Sequence, residues 1–270
     1  MPLHLIWLDQ TKLAVEIESL TPEGLSGLSL GAIRHRLARV GNTQAELGSL
    51  FCVEGEPDGS ICFEGDVSHV RGIGENMRLG SVEVRGNAGP RLGSKMSGGL
   101  IEVHGSVDVW AGAEMAGGLL KVHGNAKDYL GAALPGSRSG MREGIIVVHG
   151  NTGDDAGLGM RRGLIAVGGK AGKGFGRAMI AGTAVALGGV GEGAGSTMKR
   201  GTLSLFHVNE SNLLPTFMDA GRYRPPFWTI YARRLMELGL KLPPSAMTGI
   251  PARYNGDLAG GGQGEVLLWD

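Results

Sequence analysis

Three histidines occupy one repeating position of the sequence, and three imidazoles brought together can bind a zinc ion. They are His104, His123 and His149, each five residues after a glycine that opens a short apolar alternation. Arg85 holds the same position one repeat earlier, and stacked imidazoles would all point the same way. We therefore expect no metal site here, and interpret these side chains as an exposed ladder of His, Arg and Glu that could face a partner.

Basic residues gather in the second half of the repeats, which is the composition expected of a surface for an anion. Residues 138–200 contain nine basic and four acidic residues. Six of the basic residues follow a repeating methionine or lie in an adjoining insertion, and they are the predicted cofactor-binding residues: Arg138, Arg142, Arg161, Arg162, Lys199 and Arg200. They could form a groove for an anionic partner or an anionic cofactor tail. The alternative is an ordinary solvated mixture of charges.

The sequence contains no combination of residues typical of a catalytic centre. Gly-x-Ser-x-Gly, His-Glu-x-x-His and Cys-x-x-Cys are absent, and we predict no catalytic residue. The adjacent carboxylates Asp154 and Asp155 are interpreted as a solvated corner. The glycine run over 260–264 lacks the ending of a phosphate-binding loop and is interpreted as a hinge. Cys52 and Cys62 are too few for a disulfide framework or an iron–sulfur cluster, so both are expected to be free thiols.

The elements that position these side chains repeat with a period near nineteen. The repeats open at eight glycines, with steps of 21, 19, 19, 26, 19, 19 and 19 residues: Gly59, Gly80, Gly99, Gly118, Gly144, Gly163, Gly182 and Gly201. Positions two and four after each opening glycine are apolar, which predicts a strand at the start of every repeat. Seven methionines recur near the end of the repeats and are interpreted as core residues: Met77, Met96, Met115, Met141, Met160, Met179 and Met198.

A period of this length is typical of stacked coils. The predicted fold is therefore all-β, a right-handed parallel β-helix, or solenoid, of about seven 19-residue coils. One repeat is longer by seven residues, which lie between Gly131 and Met141. Such an insertion is expected to form a loop on one face, often the binding face.

The flanking segments are expected to cover the two ends of the stack. We divide the chain into an N-terminal α/β cap over 1–58, the repeats over 59–207, and a C-terminal extension over 208–270. In the cap, Thr21-Pro22 predicts a helix start, whereas residues 33–37 alternate like a strand. In the extension, residues 225–238 predict one amphipathic helix, and the proline-rich segment 240–252 is expected to be extended.

Composition excludes several classes of protein. The 270 residues include 50 glycines without a three-residue period, so collagen is excluded, and the net charge is zero, which argues against nucleic-acid and membrane partners. The first residues lack the basic start and apolar stretch of a signal peptide, and no run is long enough to span a membrane. A cytoplasmic location is the resulting expectation.

Four segments carry a resemblance to a known family. They are Gly-Gly-Leu-Ile-Glu-Val-His-Gly (98–105), Gly-Asn-Ala-Lys-Asp-Tyr-Leu-Gly-Ala (124–132), Leu-Pro-Gly-Ser-Arg-Ser-Gly-Met (134–141) and Met-Arg-Arg-Gly-Leu-Ile-Ala-Val (160–167). This repeat resembles that of the C subunit of formylmethanofuran dehydrogenase and of the C-terminal domain of the large glutamate synthase subunit. Residues 13–24, 213–217 and 256–259 extend the resemblance, which is greatest to the C subunit of the formyltransferase/hydrolase complex of methylotrophic bacteria.

The resemblance implies a non-catalytic scaffold in a complex. Such a complex moves a formyl group from formyl-tetrahydromethanopterin to a methanofuran-type cofactor and hydrolyses it to formate. The implied partners are amidohydrolase-like, dehydrogenase-B-like and formyltransferase subunits, and the implied cofactor contact, with no covalently bound group, is to the anionic tail of the methanofuran-type cofactor. Two alternatives stay open: the C subunit of a tungsten or molybdenum formylmethanofuran dehydrogenase, and a carbohydrate-active β-helix enzyme.

Overall fold

A computed structural model describes residues 2–17 and 19–270 of the chain. Most of its strands belong to one sheet of 13 strands, and a second sheet contains four. The large sheet runs through the whole chain, because its first strands come from the N-terminal residues and its last from the C-terminal residues.

The N-terminal part alternates short strands and helices. In chain order these are β1 (Leu3–Trp7), β2 (Val15–Glu16), α1 (Pro22–Leu25), α2 (Leu30–Arg34), β3 (Leu37–Val40), β4 (Thr43–Glu46), α3 (Leu47–Leu50) and β5 (Phe51–Glu54). The predicted helix start is confirmed, since the Thr21 hydroxyl oxygen accepts a hydrogen bond from the Gly24 N–H. The strand predicted over 33–37 is wrong, because Ser29 caps α2 in the same way through the Ala32 N–H.

Every predicted repeat opens with a strand, and this prediction is confirmed. The strands of this region are β6 (Ser60–Glu64), β7 (Val70–Arg71), β8 (Ser81–Arg85), β9 (Ser97–Val103), β10 (Ala116–Val122), β11 (Glu143–Val148), β12 (Leu164–Val167), β13 (Thr183–Ala186) and β14 (Arg200–Phe206). All except β7 pair in parallel with the equivalent strand of a neighbouring repeat, so that Ile101 lies opposite Leu120 and Leu120 opposite Ile146. Equivalent residues therefore form columns along the stack.

The C-terminal part contains β15 (Met218–Arg222), α4 (Trp228–Glu237), α5 (Ser245–Thr248), β16 (Ala252–Gly256) and β17 (Gln263–Trp269). The predicted amphipathic helix is confirmed as α4, whereas α5 lies inside the segment that was expected to be extended. The large sheet has the order β15-β16-β17-β14-β13-β12-β11-β10-β9-β8-β6-β1-β5, and the small sheet β4-β3-β2-β7. Antiparallel pairs close both ends of the large sheet, β1 with β5 at one end and β15 with β16 at the other.

The predicted fold class is wrong in two respects. The structure is a mostly parallel sheet of 13 strands with a second sheet and five α-helices, neither an all-β fold nor a closed β-helix. Only the first part of each repeat forms a long strand, and the rest consists of turns with isolated bridges such as Val67 to Ala88. The reason is local, because residues with positive φ, such as Trp110 at 59° and Glu114 at 53°, interrupt extended backbone within each repeat.

The methionines confirm the prediction of a core role. All seven are fully buried. The first six each reach the opening glycine two repeats further on: a Cβ on Gly99 would lie 2.3 Å from Cε of Met77, and a Cβ on Gly163 would lie 2.8 Å from Cε of Met141. The glycines also have positive φ, 82° at Gly99 and 95° at Gly163. Glycine at this position therefore serves both the backbone turn and the packing of methionine.

The outward face of the large sheet changes from polar to apolar along the stack. In β8, β9 and β10 the middle outward residues are Glu83, Glu102 and Lys121. In β11, β12 and β13 the equivalent residues are fully buried and apolar: Val147, Ala166 and Val185. This apolar half of the sheet packs against α4 and the C-terminal segment, where Trp228, Leu235 and Leu240 are also buried. A second hydrophobic core thus lies outside the stack.

Candidate functional site

Four of the six predicted cofactor-binding residues line one open cavity of about 450 Å³. We name it the basic cleft, and its lining residues are Arg161, Arg162, Lys199 and Arg200, with Ile180, Ala181, Gly260, Gly261 and Gln263. The structure brings these four cations together although the two pairs are separated by almost forty residues in the sequence.

The spacing of the basic cleft follows from the repeat. Arg161 and Arg162 follow Met160, and Lys199 and Arg200 follow Met198 at the equivalent corner two repeats later. Because adjacent strands lie about 4.8 Å apart, the two basic pairs are about 10 Å apart along the stack. The intervening repeat contributes Ile180 and Ala181, so small and apolar residues separate the two pairs.

The opposite wall of the basic cleft comes from the C-terminal segment and depends on the buried carboxylate of Asp257. Its oxygens accept hydrogen bonds from the N–H groups of Thr197, at 2.7 Å, and of Ala259, at 3.0 Å. Burial favours the neutral acid, but the nearby Thr216 side chain and these two hydrogen bonds outweigh it, so the pKa of Asp257 is below its ordinary value. The ionised carboxylate therefore holds Gly260 and its neighbours against the repeats.

The charges of the basic cleft are largely uncompensated. Within the described part of the chain, Arg161, Arg162 and Lys199 have no carboxylate at ion-pair distance, and all three are exposed. Arg200 donates through Nε to the Gln263 side-chain oxygen at 2.8 Å. Arginine pairs placed this way can bind carboxylates or phosphates by charge-assisted hydrogen bonds.

The other two predicted residues lie outside the basic cleft. Arg138 is exposed in the inserted loop, and Arg142 is exposed just after Met141. Neither lines the cavity that the four other basic residues form.

A second cavity, of about 610 Å³, lies beside the inserted loop and was not predicted. We name it the corner cleft; it is lined by Arg91, Lys95, Trp110 and Glu114 and by residues 134–137 of the insertion. The Trp110 ring stacks on Tyr129 with centroids 5.1 Å apart and an interplanar angle of 11°. The sequence does contain a signal for this site. Trp110 and Tyr129 each lie eleven residues after an opening glycine, a position that is glycine in two later repeats.

The predicted ladder of His, Arg and Glu is present on the polar half of the sheet, where His and Glu side chains of successive repeats are hydrogen-bonded. Nε2 of His104 lies 3.0 Å from Glu83, and Nε2 of His123 lies 2.8 Å from Glu102. The two imidazoles are parallel, with centroids 5.2 Å apart. His149 differs, because its Nε2 lies 3.2 Å from the carbonyl oxygen of Leu238 at the end of α4.

Among the described residues, one group of three could supply ligands to a metal ion: His4, Cys62 and Glu64. Glu64 already pairs with Nδ1 of His4 at 2.9 Å and with Arg85 at 3.2 Å. Burial raises the pKa of the Cys62 thiol to about 11, which disfavours the thiolate that a metal requires. This arrangement is better described as an ion-pair network with a buried thiol.

We expect the burial of His149 beside α4 to make the fold less stable in mild acid. Burial, helped by nearby His123 and Lys121, lowers the pKa of His149 against the opposing effect of the Leu238 hydrogen bond. Because the unfolded imidazole has a pKa of about 6.5, the unfolded chain binds more protons as the pH falls through that value, and folding loses stability. Thermal unfolding between pH 7.5 and 5.5 should show a smaller loss for His149→Gln than for the unaltered chain. Equal losses would contradict this role of His149.

Comparison with known proteins gives similar chains among solved structures and among curated proteins. No profile of a known protein family matches the chain. A chain in the crystal structure of the formyltransferase/hydrolase complex from Methylorubrum extorquens, in complex with methylofuran, is similar with a TM-score of 0.88 and 32% identity. The match covers 98% of both chains.

Curated relatives match over shorter segments. The C subunit of the tungsten-containing formylmethanofuran dehydrogenase 2 of Methanothermobacter thermautotrophicus is 37% identical over 91 residues, which are 32% of this chain and 34% of the relative. The C subunit of the molybdenum-containing formylmethanofuran dehydrogenase 1 of the same organism is 38% identical over 84 residues, 30% of this chain and 21% of the relative. The chain thus spans about a third or less of the length of these curated relatives. Across the described residues, no helix is both long and apolar enough to cross a membrane.

Proposed function

Because this chain belongs to the family of formylmethanofuran dehydrogenase C subunits, we propose that it is a non-catalytic scaffold in a formyltransferase/hydrolase complex. In this proposal the complex transfers a formyl group from formyl-tetrahydromethanopterin to a methanofuran-type cofactor and hydrolyses the product to formate. The chemistry belongs to formyltransferase, amidohydrolase-like and dehydrogenase-B-like partner subunits, and this chain holds them in place.

The observation that carries the proposal is similarity over the whole chain. A 98% match in both directions includes the repeats, the N-terminal part and the C-terminal segment with α4. A shared repeat alone would support only a shared architecture. Similarity in the segments before and after the repeats supports a shared assembly as well. The surfaces available to partner subunits are the outer faces of the repeats and these two flanking segments.

We propose further that the basic cleft holds the anionic tail of the methanofuran-type cofactor. The tail supplies carboxylates, and the cleft offers two pairs of cations about 10 Å apart with no internal acidic partner among the described residues. Each exposed charge pair contributes modestly, about 0.2–1 kcal/mol, so binding depends on several acting together. An extended anionic chain lying along the stack satisfies that requirement.

Reversal of two charges in the basic cleft should weaken retention of the cofactor. In Arg161→Glu/Arg162→Glu two attractive contacts become repulsive, for a total loss of about 2 kcal/mol, or roughly thirtyfold in affinity. The tagged chain is purified with its partner subunits, the partners are identified, and the cofactor in the complex is measured by mass spectrometry. We expect three unlike partners with both chains and much less cofactor with the variant.

The matched control is Arg233→Glu/Arg234→Glu on α4, which makes the same change of charge at exposed positions outside the basic cleft. It should retain the cofactor. Normal assembly with unchanged cofactor content in Arg161→Glu/Arg162→Glu would refute the tail site but leave the scaffold proposal intact. Recovery of the unaltered chain without partners would refute the scaffold, and tungsten or molybdenum in the complex would favour a dehydrogenase.

A further inference from the structure

The corner cleft is bordered by two aromatic residues in a backbone conformation that three other repeats give to glycine. Trp110 has φ 59° and Tyr129 has φ 64°, whereas Gly72, Gly174 and Gly193 occupy the equivalent position elsewhere. The positions are equivalent because their N–H groups make the same hydrogen bond. Each donates to a carbonyl oxygen of the next repeat, as seen for Gly72, Trp110, Tyr129 and Gly174. Left-handed backbone is unfavourable for any residue with a Cβ, so the fold carries these rings at a cost that glycine avoids.

The Trp110 ring is placed where a partner can reach it. Tyr129 covers one of its faces, and the side chain lines the corner cleft. Trp110 is half-buried, whereas Trp7, Trp228 and Trp269 are each 9% exposed or less. It is therefore the tryptophan that this chain offers to a binding partner.

The walls of the corner cleft add directed polar groups. The Glu114 carboxylate accepts a hydrogen bond from the Leu134 N–H at 3.2 Å and so ties the inserted loop beside Trp110. Across the cleft, a terminal nitrogen of Arg91 pairs with Glu75 at 2.8 Å, while its Nε is buried without a hydrogen-bond acceptor among the described residues. The Arg91 side chain as a whole is 43% exposed, so other nitrogens of its guanidinium remain accessible to an incoming carboxylate.

Lys95 gives the same side of the corner cleft an uncompensated positive charge. It is exposed, and the described residues place no carboxylate within ion-pair distance of it. Trp, Tyr and Arg are the residues most enriched where binding energy concentrates in protein interfaces, and here all three are adjacent in one column. The seven-residue insertion, present in one repeat only, supplies the adjoining wall.

We propose that the corner cleft docks a loop of a partner subunit, which places an apolar side chain on the Trp110 ring and a carboxylate at Arg91 and Lys95. The inference rests on the proposed function, because the partner is a subunit of the same complex. It does not depend on the basic cleft, which lies in later repeats.

The test uses the assembled complex and two variants of the corner cleft. Trp110→Gly removes the ring and installs the residue that other repeats carry at this backbone position, so the fold should be preserved. Lys95→Glu keeps every ring and reverses one charge. Native mass spectrometry measures the concentration at which the complex dissociates on dilution. Compared with the unaltered complex, this concentration should be at least tenfold higher for Trp110→Gly and severalfold higher for Lys95→Glu. Oxidation of Trp110 by hydroxyl radicals should fall severalfold in the unaltered complex relative to the isolated chain.

Ile230→Ala is the control, because Ile230 is 72% exposed on α4 and its truncation should not change dissociation. Equal dissociation of all variants, with Trp110 oxidised as fast in the complex as in the free chain, would overturn this inference alone. An unaltered chain that assembles with no partner would overturn the proposed function and this inference together.

Discussion

Gly105→Ala should destabilise the fold by about 3 kcal/mol or more, at the severe end for a single added methyl group. A Cβ on Gly105 would lie 2.4 Å from the carbonyl oxygen and 2.6 Å from the carbonyl carbon of Gly86. These are backbone atoms and cannot rotate away as a side chain can. The repeats cannot separate either, because the Gly105 N–H donates to the Gly86 oxygen at 3.0 Å and Gly124 donates to Gly105 in turn.

The matched control is Gly193→Ala. Gly193 has φ 74°, but no atom lies within 4 Å of an added Cβ, so the substitution introduces backbone strain without a clash. It should cost only about 1–2 kcal/mol. Denaturant unfolding of both variants separates the two effects. If both unfold at the same denaturant concentration, the close contact between stacked repeats is not what makes glycine necessary at position 105.

Trp228→Ala should cost about 3–5 kcal/mol, as truncation of a fully buried tryptophan does. Trp228 is 0% exposed, lies within 6.1 Å of Phe206 and 4.9 Å of Trp269 between ring centroids, and donates through Nε1 to the Ala246 oxygen at 2.7 Å. Its loss leaves a cavity between α4 and the apolar half of the sheet. The expected result is release of α4 before the stacked repeats unfold.

Hydrogen exchange measured by mass spectrometry can follow that order of events. Amides of α4 should exchange much faster in Trp228→Ala, while those of β9 and β10 keep their protection. Ile230→Ala on the exposed side of α4 is the reference and should change neither region, since Ile230 is 72% exposed. Protection of α4 at the level of the unaltered chain would show that Trp228 does not hold it on the sheet.

The repeating strands could be predicted because their signal is local and recurs. Each opening glycine is followed by two buried apolar residues, such as Ile101 and Val103, and the repetition in the sequence becomes parallel pairing in the structure. The closed β-helix was wrong because the later part of each repeat contains non-glycine residues with positive φ, such as Trp110 and Glu114. No propensity scale places tryptophan in that conformation, so the turns were not evident from residue type.

The second core was missed for a different reason. Positions one, three and five of the repeat face outward, and their composition changes from Glu102 in β9 to Val147 in β11 and Val185 in β13. Averaging over repeats hides this change, whereas comparing early with late repeats reveals an apolar surface for α4. The helix and the apolar surface could thus each be predicted from the sequence. Their contact could not, because it joins segments that are up to about eighty residues apart.

Part of the basic cleft was predictable for the same reason as the strands. Arg161 and Lys199 follow methionines at one position of the repeat, so stacking brings their repeats close together. The other wall was not predictable, because Gly260 is placed by hydrogen bonds that Asp257 accepts from Thr197 and Ala259. A single buried carboxylate after a glycine carries no periodic signal.

The pairing of equivalent residues in successive repeats has a consequence for how such chains can diverge. Each repeat hydrogen-bonds mainly to the one before it and the one after it, and the same column of atoms meets the same column at every step. Gain or loss of one whole 19-residue unit would leave these contacts intact and move all later surfaces by about 4.8 Å. Distances between binding sites along the large sheet can therefore change in evolution only in steps of one whole repeat.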